Sequence, residues 1–273
     1  MVKKPASKWY KFAKAVGWPL RKAFEAVVWA VGKITRKIVS LGIEKAEMAK
    51  RPRKEAGYSP FAIEKTISGD FGAFEKMLLS SKSTVGIILG ARGTGKSALG
   101  MRILENVKAR RNRKVAAMGF QKESMPGYIK AVGNIAEIEN NSFVLVDEGG
   151  ILFSARDAMR DANKVLSELL LISRHKDLSV LFISQNSANL DVNAIRQADY
   201  LLLRKSSLLQ KDFERKKIKE VYEGAQEYFE RNADKKQTLT YVYSDEFRGF
   251  VSNSLPSFWG EKASKGFSGY KPR

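Results

Sequence analysis

The sequence predicts an α/β fold: a mostly parallel central sheet flanked by helices, with a basic amphipathic helical arm in front of it. Three apolar runs carry that expectation, at residues 84–90, 143–147 and 178–184. Each stops at residues of a different kind. The first meets glycines and a lysine, the second two acids, and the third Ser184, Gln185 and Asn186. Apolar runs of this length suit strands buried between helical layers. Polar residues collected at strand ends suit a sheet that binds its ligand at the C-terminal edge.

The chain has 273 residues, 44% of them hydrophobic, which is enough for a sizeable core and too polar for an integral membrane protein. It has no cysteine and one histidine. Disulfides and thiolate metal sites are therefore excluded, a zinc site fits poorly, and a reducing, cytoplasmic setting is expected. The net charge of +20 attracts nucleic acid or an anionic membrane surface. Fifteen Lys and Arg stand against four Glu in residues 1–57, a net of +11. A plain solubilising tail would also carry such an excess.

Taken in order, the arm comes first. From Pro19, which suits a first helical turn, Leu20, Phe24, Val27, Val31, Ile34, Ile38 and Leu41 recur every three or four residues. Lys and Arg interrupt them, and Trp9, Tyr10, Phe12 and Trp18 precede them among lysines. The longest uncharged stretch, Ala26 to Gly32, has seven residues, against about 20 for a spanning helix. No small-residue cleavage site is evident, so a signal peptide fits poorly. Three placements for residues 8–41 fit the pattern. The helix lies in a membrane interface, packs on a partner subunit while its basic face meets nucleic acid, or packs on its own domain. Residues 50–60, "KRPRKEAGYSP", read as a linker, which puts the arm at 1–57 and the main domain at 58–273.

Residues 84–90 read as a strand that runs into "GARGTGKS", Gly90 to Ser97. This is the G-x-x-x-x-G-K-[ST] P-loop. Gly90, Gly93 and Gly95, with Thr94 between them, let the backbone turn its N–H groups inward to hold phosphate oxygens at the start of a helix. Lys96 is expected to reach the β- and γ-phosphates of ATP, and Ser97 to give a hydroxyl to Mg2+. Leu99, Ile103, Leu104 and Val107 supply the helix that should follow. Residues 114–120, "KVAAMGF", read as a second strand. "FVLVDEGG", 143–150, is an apolar strand ending in Asp147, expected to orient Mg2+, and Glu148, expected to polarise the attacking water. A helix carrying Val165, Leu166, Leu169, Leu170 and Ile172 follows, and then the strand 178–184.

Beyond it, 199–205 reads as a strand and 207–231 as one charged helix, with Leu208, Phe213, Ile218, Val221, Tyr222 and Tyr228 as its apolar residues. Its basic residues suit either DNA or solvent. Residues 237–253 read as a β-hairpin turning near Asp245 and Glu246. Phe258 and Trp259 should pack the end of the chain onto the domain. The tail, "KGFSGYKPR", is basic. The C-terminal additions thus begin at about residue 206.

The combination of P-loop, Asp147-Glu148 and a later Gln-ended strand resembles the P-loop NTPase class with an additional catalytic glutamate. That resemblance implies an extra strand between the P-loop strand and the Asp-bearing strand, with Gln185 as a sensor of the γ-phosphate or its water. Arg174-His175 before a strand ending Ser184-Gln185 resembles the HerA/FtsK superfamily, in particular the Zot-like proteins of filamentous phages and the packaging ATPases of membrane-containing viruses. The likeness covers about residues 82–205. It implies a homo-oligomer, often a hexameric ring, that uses ATP to move double-stranded DNA. In the Zot-like branch it implies virion export at a membrane with other virion or assembly proteins, which would place the chain at the inner face of a membrane or with the virion. It also implies an arginine that completes a neighbour's site, with Arg156, Arg160 and Arg174 as candidates. The chain departs from Zot-like proteins in its N-terminal arm, and residues 206–273 hold no long apolar run. A small-molecule kinase is the remaining reading; no residue marks an acceptor pocket for it.

Overall fold

A computed structural model describes residues 55–149 and 158–260, together with Trp29, residues 31–35, Lys37 and Val39. The chain divides into two compact units, 1–50 and 51–273. In the first, the described residues are helical. Lys33 Nζ lies 4.9 Å from the centre of the Trp29 ring, and the Thr35 hydroxyl donates to the Val31 carbonyl at 2.9 Å. The rest of the arm, residues 51–54 of the expected linker and the basic tail lie outside the described residues. No helix among the described residues is long and apolar enough to cross a membrane.

The second unit is built on a nine-stranded sheet. Its strands are β1 (Ala62–Gly69), β2 (Val85–Leu89), β3 (Lys114–Met118), β4 (Ile129–Val132), β5 (Ser142–Asp147), β6 (Ser179–Ile183), β7 (Tyr200–Leu203), β8 (Leu239–Ser244) and β9 (Phe247–Ser252). They lie in the order β1-β9-β8-β7-β2-β6-β5-β3-β4. From β7 to β4 every pairing is parallel, and β8, β9 and β1 extend the sheet antiparallel. The expected α/β architecture is therefore the observed one. β6 lies between the P-loop strand β2 and the Asp-bearing strand β5, as the resemblance implied.

The helices are α1 (Phe71–Ser80), α2 (Lys96–Arg111), α3 (Ala158–Ser173), α4 (Val192–Arg196), α5 (Leu208–Asp212) and α6 (Lys216–Arg231). Successive strand residues point to opposite faces of the sheet. Ile88, Leu145, Leu181 and Leu202 face α1 and α2, where they meet Phe74, Leu78, Leu99 and Ile103. Ile87, Val146, Phe182 and Leu203 take the other face, with Leu166 and Leu169 of α3 and Val221 and Ala225 of α6. Both faces are covered, which is why these strands read as unbroken apolar runs.

Arg113 ties the edge of the sheet remote from the strand tips. Its guanidinium donates to the carbonyls of Ser81, Asn141, Ser142 and Asp177 and to the Ser179 hydroxyl, at 2.8–3.1 Å. Burial lowers its pKa, while the nearby Asp177 acts in the other direction. The cation is satisfied by carbonyl dipoles rather than by a paired carboxylate.

Two parts differ from expectation. The charged helix 207–231 is two helices, α5 and α6, broken at Phe213-Glu214-Arg215. The break is held by the loop after β6: the Glu214 carboxylate accepts from the Ser187 backbone N–H at 2.9 Å and from its hydroxyl, and the Arg215 guanidinium donates to the carbonyls of Ser187 and Leu190. Phe213 consequently stands exposed instead of joining the apolar face. β1, α1 and β4 had no counterpart in the sequence reading. β1 is an edge strand with Ile63 and Ile67 outward and two irregularities in its pairing with β9, so it carries no buried alternation to detect. The hairpin at 237–253 and the packing of Phe258 and Trp259 onto the core are as expected.

Candidate nucleotide site

The site forms where β2 ends. Gly90, Gly93 and Gly95 all take positive φ, at 148°, 76° and 82°. A side chain at Gly95 would place its Cβ 2.5 Å from the Gln237 carbonyl oxygen, and one at Gly90 would meet the Cβ of Arg204 at 2.5 Å. Only glycine combines that backbone with that crowding. The loop closes on itself: the Thr94 hydroxyl donates to the Ala91 carbonyl at 2.7 Å, and Lys96 Nζ donates to the carbonyls of Gly90 and Ala91 at 2.7 and 3.0 Å. Burial pulls the Lys96 ammonium down to about 8; Asp147 and Glu148 pull the other way, and Arg204 adds to the lowering. An anion in the cradle would restore the charge that burial penalises.

Gly100 controls the approach of α2 to β5. A Cβ there would lie 2.6 Å from Leu145 Cδ1. Gly100 and Ser97 share a helix face, and Leu145 and Asp147 share a strand face. Close contact at Gly100 thereby brings the Ser97 hydroxyl to 3.1 Å from Asp147 Oδ2. Gly100→Val should cost about 1–3 kcal/mol of stability by overpacking and widen this gap. A lower melting temperature together with weaker Mg-ATP binding would register it; unchanged values would remove Gly100 from this role.

Asp147 Oδ1 accepts from the Gly149 N–H at 3.0 Å, which orients the carboxylate. Glu148 is buried, and burial raises its pKa, while Ser184, Asn189 and the Gln185 backbone lower it. Among the described residues no group of three or more His, Cys, Asp or Glu could hold a metal. Mg2+ does not require one, since it is commonly bound through one or two protein oxygens plus substrate phosphates and water. The adjacent hydroxyl and carboxylate of Ser97 and Asp147 are such oxygens, so the residues present fit it.

A cleft of about 640 Å³ joins these groups. Lys96, Ser97, Asp147, Glu148 and Gln185 all line it, as do Gly93 and Gly95. Gln185 follows the tip of β6 and is exposed to the cleft. Of the three candidate arginines, Arg156 and the side chain of Arg160 lie outside the described residues. Arg174 is exposed in the turn between α3 and β6, at the end of β6 away from the cleft, with His175 beside it.

Several residues of the site had no sequence signal. Asn189, Gln237, Leu255 and Trp259 also line the cleft, together with Arg92 of the P-loop. Arg204 is wholly buried beside Gly90, pulled down to about 9 by burial, and donates to the Leu239 carbonyl at 3.0 Å and to Asn253 Oδ1 at 2.7 Å. A charge at the tip of an apolar strand was its only mark.

A glycine cradle at the end of β2, with acids at the tip of β5 and one strand between them, defines a P-loop NTPase fold with an inserted strand. No protein-family model matches the chain, and no curated protein matches its sequence. Among solved structures the chain is similar to B204, the DNA-packaging ATPase from Sulfolobus turreted icosahedral virus, with 12% identity over 64% of this chain and 100% of that one, at a TM-score of 0.40. It is also similar to the genome packaging NTPase B204 from Sulfolobus turreted icosahedral virus 2. In complex with AMPPCP that protein shows 14% identity over 63% of this chain and 98% of that one, at 0.43. In complex with ATP-gammaS the values are 13%, 63%, 97% and 0.37.

Proposed function

We propose that the chain is a Mg-ATP-hydrolysing motor that translocates or packages DNA for a virus or other mobile element. The observation that carries the hydrolase reading is the Ser97–Asp147 contact at the mouth of the cradle, with Glu148 buried beside it. In this reading the N–H groups of residues 90–97 hold the phosphates. Lys96 leaves the Gly90 and Ala91 carbonyls to meet the β- and γ-phosphates. Ser97 and Asp147 would hold Mg2+, which would offset charge on the phosphate oxygens when bound. Glu148 takes a proton from the attacking water; a carboxylate whose pKa is raised is the stronger base. Gln185 orients that water or contacts the γ-phosphate. Gln185→Ala should slow turnover by about a hundredfold with modest loss of ATP affinity. An unchanged rate in steady-state phosphate release would remove Gln185 from this role.

The DNA part rests on the net charge of +20. Binding to double-stranded DNA should occur at low ionic strength and fall steeply as salt rises, because phosphate contacts release counterions. A fluorescence-anisotropy titration showing no binding at about 50 mM salt would count against the motor. A homo-oligomeric ring, with Arg156, Arg160 or Arg174 reaching a neighbour's cleft, belongs to the same proposal.

One observation favours a second reading, a membrane-associated Zot-like assembly ATPase acting on protein or virion export. Trp29, Val31, Ile34 and Val39 are exposed on a helix that also carries Lys33 and Lys37, a pattern suited to a membrane interface. Flotation of the full chain with anionic liposomes, with turnover indifferent to DNA, would select this reading.

A further inference from the structure

The cleft is lined both by polar strand ends and by a segment that returns from the far side of the sheet. The acids and Gln185 sit at the tips of β5 and β6, on one side of β2. On the other side lie β7, β8 and β9. β8 runs antiparallel to β7, and β9 antiparallel to β8, with Leu239 opposite Ser252. The chain therefore leaves β9 at the same edge as the P-loop, and residues 254–259 cross α2 there as a strap.

The strap is fixed to the P-loop helix. Arg102 and Glu105 form a buried ion pair at 2.9 Å on α2. Arg102 donates to the carbonyls of Ser254 and Leu255, and Glu105 accepts from the Ser257 N–H at 3.0 Å and from its hydroxyl. Phe258 is buried, edge-on to Tyr128. Leu255 is 50% exposed, Trp259, directly after Phe258, is half-buried, and both line the cleft.

The geometry points to Leu255 and Trp259 as the platform for the base of the bound nucleotide. This assignment rests on the reading of the cleft as a nucleoside triphosphate site. A triphosphate in the cradle with its γ end toward Glu148 and Gln185 carries its nucleoside out of the cradle into the rest of the cleft, where Trp259 is the aromatic side chain of the lining. A base is flat and aromatic, and it stacks on an indole with little dependence on which base it is. Anchoring by Arg102 and Glu105 sets the platform before the ligand arrives, so less ordering is lost on binding. The platform is thus coupled to the helix that carries Lys96 and Ser97.

The test uses the full chain with Trp9, Trp18 and Trp29 changed to Phe, which leaves Trp259 as the only indole. Mg-ATP and Mg-tripolyphosphate are titrated against its emission, and both affinities are measured by calorimetry. ATP should quench Trp259, whereas tripolyphosphate should bind with the emission unchanged. Trp259→Ala should weaken ATP by about tenfold and tripolyphosphate by less than about twofold, and Trp259→Phe should recover most of the loss. ATP bound with unaltered emission, or with equal affinity in Trp259→Ala, overturns the assignment while the triphosphate site stands. If Trp259→Ala does not fold, the emission of the single-indole chain decides alone. Failure of the wild-type chain to bind either ligand overturns the nucleotide reading and this assignment together.

Discussion

Glu148→Gln should retain ATP and stop hydrolysing it. The substitution keeps the size and shape of the side chain, exchanges one acceptor oxygen for an NH2 donor, and removes the charge and the ability to take up a proton. Glu148 is 8% exposed and surrounded by Ser184, Asn189 and the Gln185 backbone. The amide oxygen can still accept from the Gln185 N–H, the amide NH2 can donate to a side-chain oxygen of Ser184 or Asn189, and a neutral group relieves the desolvation that raises the carboxyl pKa. Stability should therefore hold or rise. General-base catalysis contributes about 10²–10⁴-fold, so turnover should fall by about three orders of magnitude with ATP affinity within about threefold of the parent. Single-turnover hydrolysis alongside equilibrium ATP binding separates the two quantities. Retained turnover would take the base role from Glu148.

Lys96→Ala should act on the opposite quantity. Hydrogen bonds to charged groups contribute about 1.5–3 kcal/mol each, so losing contacts to two phosphates should weaken ATP by at least about a hundredfold. The unliganded protein should tolerate the change. Lys96 is buried with an ammonium pulled down to about 8, so its charge costs free energy in the fold until an anion arrives. The expected outcome is a melting temperature equal to or above the parent's without ligand, and no upward shift on adding Mg-ATP. An undiminished ATP-induced shift would mean that the phosphates lie elsewhere.

The candidate site was legible in the sequence because its parts are local. "GARGTGKS" follows a strand directly, Asp147 and Glu148 end one, and Ser184 and Gln185 end another. Strands buried on both faces announce themselves as apolar runs, and the inserted position of β6 followed from the resemblance those runs supported. What was missed depends on tertiary placement. β1 is an exposed edge strand held by backbone pairing to β9. The break at Phe213-Glu214-Arg215 arises from Ser187 and Leu190, some 25 residues upstream. Leu255 and Trp259 reach the cleft only because two antiparallel strands return the chain to the P-loop edge, and no spacing in the sequence encodes that return. Arg204 falls inside the strand read at 199–205 with no role of its own, yet it lies buried against Gly90.

The most direct measurement is the steady-state rate of phosphate release from Mg-ATP by the full chain, with and without double-stranded DNA at low ionic strength. DNA should raise the rate, Glu148→Gln should abolish it, and the stimulation should disappear as salt increases. A rate of zero under all these conditions, or one that DNA leaves unchanged while Glu148→Gln retains it, would contradict the proposed DNA-moving ATPase.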